Sequence, residues 1–155
     1  MGEAEFGLID GVLSTTAGWI GEVEVAEVEF DPRTVAFESL LEHAIARDCA
    51  IRVFARDDHH FELALQEVGD RAVRTDEPIR IVEDQQYYLG RTELRYVPMT
   101  RAQAARVNAD VRDAERWLSP RQIALLRDAK RNPDPNRPVV MGLPVEEGWA
   151  LVSGD

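Results

Sequence analysis

The chain has 155 residues, of which 45% are hydrophobic, and a formal net charge of −11. This length suits one domain with a buried core, and the acidic balance argues against nucleic acid and anionic membranes as partners. No apolar run approaches the roughly 20 residues of a membrane span, and residues 1–6 carry no secretion signal. The only cysteine, Cys49, excludes an internal disulfide and a cysteine-rich zinc site, so a cytoplasmic setting is expected.

The first half of the chain alternates between predicted strands and helices. Residues 12–19 and 22–30 are predicted strands, and the bend between them favours antiparallel pairing. A helix is predicted where apolar residues recur at i, i+3, i+4, i+7 and i+8, namely Phe37, Leu40, Leu41, Ala44 and Ile45. Residues 50–55 form a third predicted strand. Asp57 is the predicted N-cap of a helix whose inner face is Phe61, Ala64, Leu65 and Val68. A loop over 69–80 and a brief strand at 79–82 follow.

The last third is predicted to be helical. Thr100 with Gln103 and Ser119 with Gln122 form capping boxes, each at the start of a predicted helix. The first predicted helix has a stripe of apolar residues that runs from Ala104 to Leu118. We expect the two helices to form a hairpin. Residues 132–138 contain three prolines and predict an extended linker. We expect one compact unit with three parts: an α+β core with a small mixed or antiparallel sheet (1–92), a helical extension (93–131) and an extended tail (132–155).

The second predicted strand carries carboxylates on both faces. Alternation places Glu22 and Glu24 on the same face as Val28 and Phe30. A carboxyl group on such a face is partly desolvated or lies at the edge of a cleft, and burial raises a carboxyl pKa into the range of a general acid. The alternative is an edge strand whose charges block aggregation.

Short motifs follow one another in a recognisable order near the start of the chain. They are Glu3-Ala4-x-Phe6, Gly11-Val12-x-Ser14-Thr15, Gly18-Trp19, the glutamate-rich strand and Phe30-Asp31-Pro32. This order resembles the opening of the peptide-methionine sulfoxide reductase A family, which has a helix, then G-V-x-S-T-x-x-G-Y, then H-A-E in a strand that ends in Y-D-P. Arg52 falls where the family has the arginine of its Y-R-S-A-I strand, and residues 83–89 resemble its E-D-x-H-Q-Q-Y-L segment. The resemblance covers residues 3–56 and 80–90.

The resemblance implies a ferredoxin-like α+β plait and a reaction on methionine sulfoxide in peptides or proteins. In the family, a cysteine at a helix N-terminus attacks the sulfoxide sulfur, a glutamate donates the proton, and a thiol reductant such as thioredoxin resolves the oxidised cysteine. By position, Glu24 takes the place of the proton donor. Trp19, Arg52, Tyr87 and Tyr88 are candidate substrate contacts on the same basis. The resemblance implies no cofactor and no metal ion.

The family's cysteine motif, G-C-F-W, would end immediately before Met1. Either the chain is cut or begins late, or it is a natural non-reductase on the same scaffold; we expect no reductase activity from it as written. The runner-up function is a non-catalytic binding or interaction module. Because the strand that precedes this motif would also be missing, we expect residues 1–10 to be poorly anchored and an open sheet edge to favour self-association.

Two other features are candidate chemical groups. Cys49 follows a predicted helix C-terminus and Asp48, which both raise a thiol pKa, so a structural cysteine is the preferred interpretation. His59 and His60 lie beside Asp57 and Asp58, but adjacent residues on a helix face different directions. We therefore predict a solvated helix start rather than a metal site.

Overall fold

The structure is a computed structural model that describes residues 2–154. Its elements confirm an α+β fold with a small antiparallel sheet and flanking helices. In chain order they are α1 (Gly2–Phe6), β1 (Val12–Ile20), β2 (Val23–Phe30), α2 (Phe37–Ala46), β3 (Val53–Ala55), α3 (Asp58–Val68), β4 (Ala72–Arg74), β5 (Arg80–Ile81), α4 (Tyr87–Gly90), α5 (Arg101–Ala109), α6 (Pro120–Arg131) and α7 (Val145–Ser153). Among these residues, no helix is long and apolar enough to cross a membrane.

The strands of the described chain form two separate sheets. The first has the order β2-β1-β5, with antiparallel pairing throughout, and the second is the parallel pair β3-β4. The prediction of a loop over 69–80 is therefore wrong at Ala72–Arg74. A three-residue strand is too short to show a periodicity, so no pattern in the residues indicates it.

The described residues form two apolar cores. The first lies between the antiparallel sheet, α2 and α3, and it contains Phe6, Val12, Leu40, Leu41 and Ala64 among others. The second joins the C-terminal helices to the segment around α4, and it contains Leu89, Val97, Val107, Leu118 and Leu126 among others. α5 connects the two halves, because the guanidinium of Arg101 donates to the hydroxyl of Ser14 at 2.8 Å and lies 3.1 Å from the carboxylate of Glu29.

Both capping boxes are confirmed, but the first helix is shorter than predicted. α5 ends at Ala109, and a 3₁₀ helix occupies Val111–Trp117. Asp110, with φ −142° and ψ 73°, breaks the α-helical path, and its side chain caps the new helix at the backbone N–H of Asp113. The stripe from Ala104 to Leu118 is thus divided between two elements.

The extended tail predicted for 132–155 is wrong at α7. Residues 132–138 contain no helix, as expected, but Val145–Ser153 is helical and ends at Gly154 in the left-handed conformation. Gly148 lets α7 approach Pro98, since a Cβ atom there would lie 3.0 Å from the Pro98 Cβ. Tertiary packing therefore stabilises a helix that the proline-rich composition concealed.

The start of the chain is better anchored than predicted. Met1 lies outside the described residues, but Glu3 and Phe6 are 5% and 7% exposed. Gly7 lies so close to α5 that an added Cβ would be 2.8 Å from the carbonyl carbon of Ala105. The expectation of a loose N-terminal segment was wrong because it took no account of α5, which comes from the part of the chain beyond the family resemblance.

Candidate functional site

A cavity of about 660 Å³ lies beside the antiparallel sheet, against α1, α2 and β3. Its apolar wall includes Phe6 from α1 and Phe37, Leu40 and Leu41 from α2. These residues face inward because the apolar stripe of α2 packs toward the sheet, as its spacing predicts. The volume is within the range of small-molecule and side-chain binding sites in proteins.

Glu3 is a buried carboxyl group in the wall of this cavity. Its Oε2 accepts a hydrogen bond from the backbone N–H of Gln86 at 3.1 Å, whereas its Oε1 has no partner within the described chain. Burial raises the pKa of the Glu3 carboxyl group, and the N–H of Gln86 opposes this shift by stabilising the charged form. In its protonated form the Glu3 carboxyl group carries one O–H donor.

Sequence reasoning placed Glu3 in a family motif but missed it as a site residue. The available signal was its spacing of three residues from Phe6, which puts both side chains on one face of α1. An apolar residue at one of these positions predicts that the other is also turned inward. The burial itself depends on Gln86, 83 residues further along the chain.

Glu24 lies at the exposed side of the same cavity. It is opposite Trp19 in the β1–β2 ladder, and the ladder continues without a register shift from Val23 to Val28. Alternation therefore puts the side chain on the face of β2 that also carries Val28. Glu27 is on the other face, where its Oε1 accepts from the Arg56 guanidinium at 3.2 Å.

The four candidate substrate contacts are distributed over different surfaces. Arg52 lines the cavity, next to the start of β3, but Trp19, Tyr87 and Tyr88 do not. Trp19 packs under the guanidinium of Arg80, with 5.9 Å to the ring centroid. Tyr87 and Tyr88 are 46% and 38% exposed on α4 and contact each other edge to face. The structure therefore brings Arg52, but not the three aromatic residues, to the cavity that contains Glu24.

Cys49 lies in the cavity wall near the C-terminal end of α2. Its pKa is raised by burial first and then by the carboxylates of Glu5 and Asp48. The thiol donates to the backbone carbonyl of Arg47 at 3.4 Å. A thiol held in its protonated form is a poor nucleophile, which agrees with a structural role.

His60 points toward the cavity, whereas its neighbours do not form a metal site. Its Nδ1 is 2.5 Å from the Asp57 carboxylate, and its ring packs on Phe37 with 4.5 Å between centroids. Asp57 also caps α3 by accepting from the backbone N–H of His60, as predicted. Within residues 2–154, no group of three His, Cys, Asp or Glu side chains could hold a metal ion.

The cavity thus combines three carboxyl groups, those of Glu3, Glu24 and Glu27, with an apolar aromatic wall and a protonated thiol. Such a set can bind an uncharged group that has an oxygen acceptor at one end and apolar carbon around it. No protein-family model matches this sequence, and no curated protein matches it.

Proposed function

We propose that the chain has the α+β core of the peptide-methionine sulfoxide reductase A family and binds methionine sulfoxide side chains of peptides in this cavity. The order of motifs from Glu3 to Pro32 supports the family, as do the antiparallel β1–β2 pair and the helix that follows it. The helices after residue 93 are an addition to that core.

One observation carries the proposal: Glu3 is a buried carboxyl group in the wall of the cavity, and its Oε1 has no partner among residues 2–154. A sulfoxide oxygen accepts hydrogen bonds and cannot donate them, so it matches a protonated carboxyl group. The methyl and methylene groups of the ligand match the walls formed by Phe6, Phe37 and Leu40. A buried polar group that lacks a partner is costly, and this ligand would remove that cost.

The family resemblance gives the role of proton donor to Glu24, at the open side of the cavity. Glu3 and Glu24 are therefore both candidates for the group that meets the sulfoxide oxygen. The environment favours Glu3, because burial raises its pKa and so favours the protonated form that can donate. Glu24 is exposed and can act on a ligand only at the cavity mouth.

Binding can be measured by NMR titration of the ¹⁵N-labelled chain with the S-sulfoxide of N-acetyl-methionine methylamide. We expect saturable shifts around Phe6, Phe37 and Ala44, and weaker binding at pH 8 than at pH 5. Glu3→Gln should bind equally at both pH values, since an amide N–H donates whatever the pH, and Glu3→Leu should not bind. The sulfide, which lacks the oxygen, should bind more weakly than the sulfoxide.

Substitutions at other glutamates provide the controls. Glu24→Gln should leave this binding unchanged, as should Glu22→Gln, an exposed position outside the cavity wall. Loss of binding in Glu24→Gln alone would assign the sulfoxide oxygen to Glu24. The absence of saturable shifts with the native chain would overturn the proposal.

The chain should bind methionine sulfoxide without reducing it. With dithiothreitol, turnover would convert one sulfoxide and one dithiol into a sulfide, a cyclic disulfide and water. We expect none, because the raised pKa of Cys49 leaves little thiolate to attack the sulfur. Turnover that disappears in Cys49→Ser would identify Cys49 as a nucleophile, and turnover that persists would require a route without a protein thiol.

The protonated thiol also favours the second candidate function, a non-catalytic binding module. The two functions differ in the ligand rather than in the site. A module of this kind would bind unoxidised peptides as well as it binds the sulfoxide, so the sulfide control separates them.

A further inference from the structure

The cavity is bounded by the edges of two strands, not only by their faces. Consecutive residues of β2 line it, from Glu24 to Val28, and so do consecutive residues from Arg52 to Arg56 around β3. Side chains alternate along a strand, so a cavity against one face contacts every second residue. An unbroken run on each side indicates that the cavity extends beyond the strand faces to the hydrogen-bonding edges of β2 and β3.

Both edges lack a strand partner in the described chain. β2 pairs only with β1, and β3 pairs only with β4. Strands that pair in a sheet lie about 4.8 Å apart. β2 and β3 do not pair in this way across the cavity; β2 is paired with β1 and β3 with β4. Instead, the side chains of Glu27 and Arg56 span the gap, 3.2 Å between Oε1 and Nη2. Arg56 also donates to the carbonyl of Glu77.

The two sides of this gap differ in polarity. On the side of α2, the apolar residues Phe37, Leu40, Leu41 and Ala44 form a floor. On the other side, the ion pair of Glu27 and Arg56 is about half exposed. An extended chain in the gap would therefore have an apolar surface on one face and a polar surface on the other. Its side chains alternate between these two faces, so apolar and polar residues would need to alternate as well.

We propose that this gap is a slot for a strand: an extended peptide of about five residues, with apolar side chains at alternate positions, inserts between β2 and β3 and joins the two sheets. The length follows from the five consecutive residues on each wall, since one strand residue pairs with one neighbour. Main-chain hydrogen bonds provide the affinity, and the apolar floor selects the side chains.

The slot selects a single extended segment over a second copy of the folded chain. An occupant between two strands needs both of its own edges free, because each edge pairs with one wall. An edge strand of a folded copy has one edge already paired, as β2 is with β1. The inference depends on the strand edges and goes beyond the proposed binding of a sulfoxide.

The probe is the acetylated and amidated peptide Thr-Val-Thr-Val-Thr-Val-Thr, which contains no sulfur. We expect it to bind and to slow amide hydrogen exchange in both β2 and β3. The same peptide with N-methyl groups on alternate residues keeps its side chains but loses half of its N–H donors, and it should bind at least tenfold more weakly. Failure of this peptide would leave sulfoxide binding untouched, which distinguishes the two proposals.

A matched pair of variants tests the location. Ala44→Phe fills the floor of the slot, whereas Ala46→Phe puts the same side chain on the exposed side of α2. We expect Ala44→Phe to lose at least tenfold in affinity and Ala46→Phe to bind like the native chain. If Ala44→Phe does not fold, the comparison with the N-methylated peptide decides the question.

Three results would overturn the inference. The first is the absence of binding at millimolar peptide, and the second is protection of β2 without β3, which would indicate addition to a single edge. The third is a dimer in sedimentation whose β2 and β3 amides are protected without peptide. That result would make a second copy the occupant.

Discussion

At the scale of single residues, the surroundings of Glu3 determine the chemistry of the cavity. Its burial raises the pKa of a carboxyl group whose ordinary value is 4.5. The native state therefore holds the Glu3 proton more tightly than the unfolded chain does. By linkage, the resulting contribution to stability is fully present below pH 4.5 and is lost as the pH rises through the pKa of the folded state.

Glu3→Gln should remove this dependence on pH. The amide oxygen still accepts from the N–H of Gln86, so the fold is retained. In urea unfolding at a series of pH values, the free energy of unfolding of Glu3→Gln relative to the native chain should rise above pH 4.5 and then level off. Glu22→Gln controls for the loss of one negative charge. A constant difference between Glu3→Gln and the native chain at all pH values would contradict the burial effect.

At the scale of elements, the two capping boxes are joined to each other. Gln103 caps the start of α5, and Gln122 caps the start of α6. The Nε2 of Gln103 donates to the Oε1 of Gln122 at 3.1 Å, and the Nε2 of Gln122 donates to the buried carbonyl of Pro98 at 2.6 Å. The helix starts are thus fixed relative to one another.

Gln122→Ala should destabilise the chain by about 2–3 kcal/mol, because it removes a cap and leaves the Pro98 carbonyl without a partner. Gln103→Ala should cost about 1 kcal/mol. A double-mutant cycle measured by urea unfolding should give a coupling energy of about 0.5–3 kcal/mol, since the two side chains are in contact. Gln66→Ala, at an exposed position of α3, is the matched control. Additive effects of the two substitutions would mean that the boxes act independently.

At the scale of the whole molecule, charge opposes the association that free strand edges favour. β2 is an edge strand of its sheet, and the exposed glutamates on and beside it are Glu22, Glu24, Glu27 and Glu29. The whole chain has a net charge of −11, so two copies repel each other at neutral pH. In addition, β2 and β3 both line the same cavity, and a strand edge that faces a cavity is less accessible to another folded copy.

We therefore expect self-association to depend on pH. Sedimentation velocity should give a monomer at pH 7.5 and low salt, with association increasing as the pH falls toward the sequence pI of about 4.7. The double substitution Glu24→Lys with Glu27→Lys should make the net charge less negative and so raise the pH at which association begins. A stable dimer at pH 7.5 would show that edge pairing outweighs the repulsion.

The sequence determined the local features of this protein. Alternation fixed the two faces of β2, the apolar spacing fixed α2, and the pairs Thr100–Gln103 and Ser119–Gln122 fixed two helix starts, because each of these depends on residues within a few positions of one another. Only the tertiary structure decided the burial of Glu3, since that depends on Gln86 far along the chain. It also decided the break at Asp110, the helix α7 and the separation of β3 from the antiparallel sheet. These features depend on packing between distant segments, which a pattern within one segment does not contain.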